Sequence, residues 1–138
     1  MLRRIATGFI VAFSVSATAI AHDGPHPEKS LEVDAENAPR IVDLRVEKDP
    51  VAGFNLLVVT ENFEFAPEQV NQAHADNKGH GHIYVDGVKI ARIYAPAHHL
   101  DGLQPGERRI EVTLNANDHR EYSVGGSKIS AAATIAVP

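Results

Sequence analysis

Apolar and polar residues alternate with a period of two along much of the chain from Arg40 onward. Val42, Leu44 and Val46 alternate with charged residues, which is the pattern of a strand with one buried face. The run FNLLVVTEN is apolar on both faces near its middle and therefore predicts a central strand. The run RRIEVTLNA alternates again. The chain therefore reads as a succession of strands.

Turn residues separate these strands. Asp86-Gly87, inside HIYVDGVKIARIY, predicts a type I′ hairpin because both central residues of that turn need positive φ. With this turn at the centre of the hairpin, the predicted strand register places His82 opposite Ala91. Gly125-Gly126 predicts a last hairpin.

The predicted fold class is all-β. About seven short strands within roughly 100 residues, with no segment periodic enough for a core helix, favour an immunoglobulin-like antiparallel β-sandwich. A small closed barrel is the alternative. The sandwich is predicted to span residues 40–138. Residues 22–39 carry three prolines and few apolar side chains, and they predict an extended N-terminal arm without a helix or strand.

Residues 1–21 have the features of a cleaved signal peptide. Arg3 and Arg4 precede an apolar run, and Ala19-Ile20-Ala21 fits the small-x-small cleavage pattern. The apolar run is short for a membrane span and ends at this cleavage site. We therefore expect a periplasmic or secreted protein that has no membrane insertion after signal cleavage.

Composition limits the available chemistry. The chain has no cysteine and one methionine, Met1, so a blue-copper centre and a Cu(I) site built on thioethers are excluded. The formal net charge of −5 becomes −7 once Arg3 and Arg4 are removed, and an acidic domain of this kind predicts no nucleic-acid partner. A bound metal must therefore be held by imidazole and oxygen.

His80 and His82 form an alternating pair within GHGHIYV. Residues two apart on a strand share a face at a separation of ~6.6 Å, so their two imidazoles can converge on one ion. The alternative interpretation is a pair of solvated polar residues on the outer face of a sheet.

Further histidines lie near predicted loops. They are His74, His99 and His119. If these loops meet at one end of the sandwich, the three residues can join His80 and His82. His98 adjoins His99, and one of the two is expected to be a bystander because adjacent residues seldom bind the same ion. Asp118 is a possible acceptor for an N–H of the His119 ring. Each of these histidines taken singly is also compatible with an ordinary exposed loop residue.

His22 would become the N-terminal residue after cleavage. Its amine and imidazole could then chelate one ion, in the arrangement called a histidine brace, which suits Cu(II). His26 is a further candidate in the same arm. A disordered arm after a signal peptide is the alternative.

The chain also resembles known proteins. The runs FxFAPE, HxxxxxGHxHIYVDGxKIARIY, HLxxLxPGE and VTLNANDHxEY, within residues 62–138, resemble a set of exported bacterial proteins of unassigned activity that have a GHxH hairpin. The positions matching that pattern are His74, His80, His82, His99 and His119. In architecture the chain is more loosely similar to the periplasmic copper-resistance carrier, which implies Cu(II) binding through an N-terminal residue and further histidines.

The predicted function is metal capture or delivery without turnover. The expected ligand is copper(II), with zinc(II) as the second choice, and a periplasmic metal-receiving protein is a possible partner. The alternative is a non-enzymatic adhesion or assembly module that binds a protein or glycan through the hairpin face and the loop at 96–104. A metal-dependent enzyme is a third hypothesis, since three histidines with an open coordination position can activate water.

Overall fold

The computed structural model describes residues 29–138. The predicted signal peptide, His22 and His26 lie outside this range. The described residues form one 3₁₀ turn, Pro67–Gln69, and the strands β1 Ser30–Glu32, β2 Arg40–Lys48, β3 Phe54–Glu61, β4 Glu64–Phe65, β5 Lys78–Val85, β6 Val88–Ile93, β7 Ala97–Leu100, β8 Gly106–Ala116, β9 Glu121–Val124, β10 Ser127–Lys128 and β11 Ser130–Val137. No helix among them is long and apolar enough to span a membrane.

The strands form two sheets. The larger has the order β1-β9-β8-β5-β4, with β6 paired to β5, β10 to β9 and β11 to β8; the smaller has the order β2-β3-β7. All pairs are antiparallel except β1 with β9 and β4 with β5. The predicted all-β antiparallel sandwich is therefore confirmed.

The strand count is higher than predicted. Eleven strands replace about seven because several are only two to four residues long and carry no alternation to detect. One of them, β1, lies in the segment 22–39, where no strand was expected, and it pairs in parallel with β9.

The core lies between the two sheets, and both sheets contribute to it. β3 is central in the smaller sheet, as its apolar faces predict. The buried cluster consists of Phe54, Leu56, Val58, Ile83, Ile93, Leu100, Ile110 and Val112. Leu114 continues the buried face of β8 into a second cluster with Ala116 and Tyr122. Because this face of β8 is apolar, its other face is left for polar side chains.

A β-bulge changes the phase of β2. The pairing with β3 shifts between Ile41 and Asp43. Ile41, Leu44 and Val46 therefore pack against the core, whereas Val42 is 49% exposed. The prediction that Val42 shares the buried face was wrong because an extra residue in one strand reverses the alternation beyond it.

The β5–β6 hairpin has the predicted turn but a different register. Asp86 and Gly87 have φ values of 50° and 84°, as a type I′ turn requires. A bulge at Ile83/Tyr84 then shifts the pairing, so that His82 lies opposite Arg92. The predicted pairing of His82 with Ala91 was wrong for this reason.

Candidate metal centre

β5 carries His80 and His82 on the face of the larger sheet that is turned away from the inter-sheet core. Ile83, on the opposite face of the strand, belongs to the core cluster. On the neighbouring strand β8, Thr113 lies opposite His82 and Asn115 lies opposite His80. The two histidines expose only 1% and 0% of their surface, so the interpretation as solvated surface residues was wrong.

Small residues let the strands approach closely beside the histidines. A Cβ added to Gly79 would lie 1.8 Å from the carbonyl oxygen of Asn115, and one added to Gly81 would lie 2.8 Å from Cγ1 of Ile93. A larger residue at Gly79 would force β5 away from β8, and one at Gly81 would displace the side chain of Ile93. The glycines therefore fix the depth at which His80 lies against β8.

The two imidazoles face each other directly. Nε2 of His80 lies 3.0 Å from Nε2 of His82, and the ring centroids are 4.8 Å apart. In neutral rings this contact is a hydrogen bond in which one Nε2 carries the proton and the other accepts it. The same separation is short enough for one ion to contact both nitrogens.

His119 joins this pair from the turn after β8. Its ring centroid lies 4.8 Å from that of His80 and 6.3 Å from that of His82. One ligand nitrogen from each of the three histidines falls within 4.8 Å of the others. Residues almost forty positions apart in the chain thus form one cluster, and this cluster could hold a metal ion.

The backbone of His119 is in an unusual conformation. Its φ of 70° lies in the left-handed region, which costs free energy for a residue with a Cβ. Two hydrogen bonds hold it there: its N–H donates to the carbonyl of Ala116 at 2.9 Å, and Nδ2 of Asn115 donates to its carbonyl at 3.3 Å. An amide side chain facing the histidine pair thereby anchors the third histidine.

The electrostatics keep His80 neutral. Its pKa is lowered from 6.5 to about 3, mainly by burial and in addition by the nearby His82, His119, Arg92 and Lys89. A neutral imidazole has a lone pair available, and a proton does not compete for it near neutral pH. His80 is therefore in the protonation state that a metal ligand requires.

The second nitrogen of the His80 ring is also buried. Nδ1 of His80 is fully buried and has no hydrogen-bond partner in the described part of the chain. The Tyr94 ring lies 5.9 Å from the His80 ring, and its hydroxyl accepts a hydrogen bond of 3.1 Å from Arg92. Since buried polar groups are nearly always satisfied, Nδ1 of His80 departs from ordinary packing.

The other predicted ligands lie elsewhere. Nε2 of His74 lies 3.2 Å from Oδ1 of Asp76, and His74 lines a separate cavity of about 820 Å³ together with Glu32. His99 lies on β7 of the smaller sheet, where its Nδ1 is 3.0 Å from Oδ1 of Asn55. Neither residue is part of the three-histidine cluster. His22 lies outside the described residues.

The residues that support His119 were not found from the sequence. The carboxylate of Asp118, the expected acceptor, instead accepts a hydrogen bond of 2.9 Å from Nε of Arg120. The His119 ring contacts Asn71 through Nε2 and Oδ1. Asn71 lies in a polar loop 48 residues earlier, and its positive φ of 64° is compatible with many turns, so no sequence signal singles it out.

Comparisons with known proteins give no match: no protein-family model, no curated protein and no solved structure matches this chain.

Proposed function

We propose that this protein captures Cu(II) in the periplasm or outside the cell and carries or buffers it without turnover. The observation that supports this most strongly is the contact of 3.0 Å between Nε2 of His80 and Nε2 of His82, with His119 beside them. The chain has no cysteine, and its single methionine is Met1, so hard or borderline divalent ions suit it better than Cu(I).

The spacing of the two nitrogens is compatible with adjacent ligand positions in a tetragonal copper site. With bonds of about 2.05 Å, nitrogens 3.0 Å apart subtend about 94° at the ion. Adjacent ligands in tetragonal Cu(II) complexes subtend about 90°. The tetrahedral angle of zinc would require a separation of about 3.4 Å, so the rings would have to move apart.

Binding would require one of the two imidazoles to change its tautomer. The ring that carries its proton on Nε2 must shift it to Nδ1, because the ion takes the lone pairs of both Nε2 atoms. No net proton is released by this step. The imidazoles of His80 and His82 are already buried and close together, so little side-chain entropy is lost on binding.

His22 would add a fourth ligand if the predicted cleavage after Ala21 exposes its amine. A metal-receiving protein would then take the ion by competing for these nitrogens. The copper-resistance carrier family, which the chain resembles loosely, offers the same mode of action.

Titration of the purified protein with Cu(II) and Zn(II) at pH 7.5 tests the proposal. We expect one tight site with a preference for Cu(II), and loss of that site in His80→Ala/His82→Ala. The matched control is His98→Ala/His99→Ala, which removes the same number of imidazoles from the smaller sheet. Equal affinities for wild type and His80→Ala/His82→Ala would refute the site, and an absence of binding would favour an adhesion or assembly module.

A further inference from the structure

The His119 ring contacts a carboxamide through one of its two nitrogens. Nε2 of His119 meets Oδ1 of Asn71. An amide oxygen has no hydrogen to donate, so the proton in this contact must sit on Nε2. A neutral imidazole has one N–H, and its lone pair is therefore on Nδ1.

The backbone holds Asn71 in place. Its N–H donates to the carbonyl of Asn117 at 2.8 Å, two residues before His119. The loop that carries the acceptor and the turn that carries the histidine are therefore tied together. Asn71 has a φ of 64°, a conformation that asparagine tolerates better than most residues.

We propose that Asn71 is a positioning residue for the metal centre, and that His119 binds the ion through Nδ1 while His80 and His82 bind through Nε2. This inference rests on the proposed function. Asn71 acts by accepting the Nε2–H of His119, which fixes the tautomer and the direction of the ring. An imidazole that donates its second N–H to an oxygen in this way is also a better ligand.

The opposite arrangement would break the observed contact. If His119 bound through Nε2, that nitrogen would have to lose its proton and leave the oxygen of Asn71. Nε2 cannot carry the proton that Asn71 accepts and also offer a lone pair to the ion. The contact with Asn71 therefore selects Nδ1.

Three variants separate this role from a structural one. Asn71→Gly keeps the positive φ and removes the acceptor. Asn71→Asp keeps an acceptor oxygen at the same distance along the side chain and removes the amide donor. Asn62→Gly is the matched control, because Asn62 is also exposed and has a positive φ of 51°.

The first measurement uses metal-free protein. Long-range ¹H–¹⁵N NMR correlations identify which nitrogen of the His119 ring carries the proton. We expect the Nε2–H tautomer in wild type, Asn71→Asp and Asn62→Gly, and a mixture of tautomers in Asn71→Gly. An Nδ1–H tautomer in wild type would overturn the inference because asparagine would then be the donor. Its appearance in Asn71→Asp would also overturn it, because an acceptor oxygen would then not hold the proton on Nε2.

The second measurement is Cu(II) affinity for the same four proteins. We expect Asn71→Gly to bind about 10- to 100-fold more weakly, with Asn71→Asp and Asn62→Gly within a few-fold of wild type. Equal affinity in Asn71→Gly and wild type overturns the positioning role. If wild type shows the expected tautomer but binds no Cu(II), the proposed function fails and the metal role of Asn71 fails with it, whereas the hydrogen bond stands.

Discussion

Acidification should destabilise the metal-free protein through His80. The pKa of this residue falls from 6.5 to about 3 in the folded chain, mainly because burial disfavours the charged ring. Between these two values the unfolded chain binds one proton that the folded chain does not. The stability that depends on neutral His80 is therefore fully present above pH 6.5. It is lost progressively as the pH falls toward 3.

The size of the effect follows from the same shift. Loss of one bound proton on folding gives a slope of about 1.4 kcal/mol per pH unit. Lowering the pH from 7.5 to 5 should then reduce the free energy of unfolding by about 2 kcal/mol. The pH range of the comparison ends at 5 because ordinary carboxylates, with pKa values near 4, begin to titrate below that pH.

Urea denaturation at a series of pH values in the presence of a chelator measures this slope. His80→Asn and His80→Leu serve as each other's control, since both remove the titrating ring but pack differently. We expect both to flatten the slope by the same amount, whatever their stability at pH 7.5. A wild-type curve that is flat between pH 7.5 and 5, or variants that keep the wild-type slope, would refute the argument.

Four further substitutions test other parts of the account. His119→Gly should weaken Cu(II) binding at least tenfold, or about 1.4 kcal/mol, yet change the free energy of unfolding in urea by no more than about 1 kcal/mol, because glycine adopts its positive φ freely. His99→Ala should leave the Cu(II) affinity within about twofold of wild type, since its ring lies on the smaller sheet; a larger loss would place it in the site. Gly79→Ala should cost roughly 3 kcal/mol or more by urea denaturation, because its Cβ would overlap the backbone of Asn115, whereas Gly81→Ala meets only a side chain and should cost about 1 to 3 kcal/mol. Equal costs for the two alanines would contradict the packing described beside His80.

Local patterns made part of the fold predictable. Asp86-Gly87 and Gly125-Gly126 have the positive φ values that their turns require, and each joins two strands. Ile110 and Val112 lie in the core. Their burial was predictable because alternation along a strand can be recognised without information from distant parts of the chain. The bulges in β2 and β6, in contrast, leave no mark on the alternation, so the buried face at Val42 and the register of the β5–β6 hairpin were predicted incorrectly.

The candidate site was only partly predictable for a similar reason. The spacing of His80 and His82 follows from strand geometry alone. The contribution of His119 depends on how a turn folds back over β5, and that of Asn71 depends on a loop 48 residues away. His99 was expected near a loop, but it lies on β7, which pairs with β3 in the other sheet. Such long-range pairings are not encoded in a local pattern.

The most direct test of the central claim is a crystal structure of the Cu(II)-loaded protein with an anomalous difference map collected at the copper edge. We predict one peak within about 2.0 to 2.1 Å of Nε2 of His80 and Nε2 of His82, with a nitrogen of His119 also bound. A copper peak at His74 or His99, with the contact between His80 and His82 unchanged and no ion beside it, would contradict this prediction.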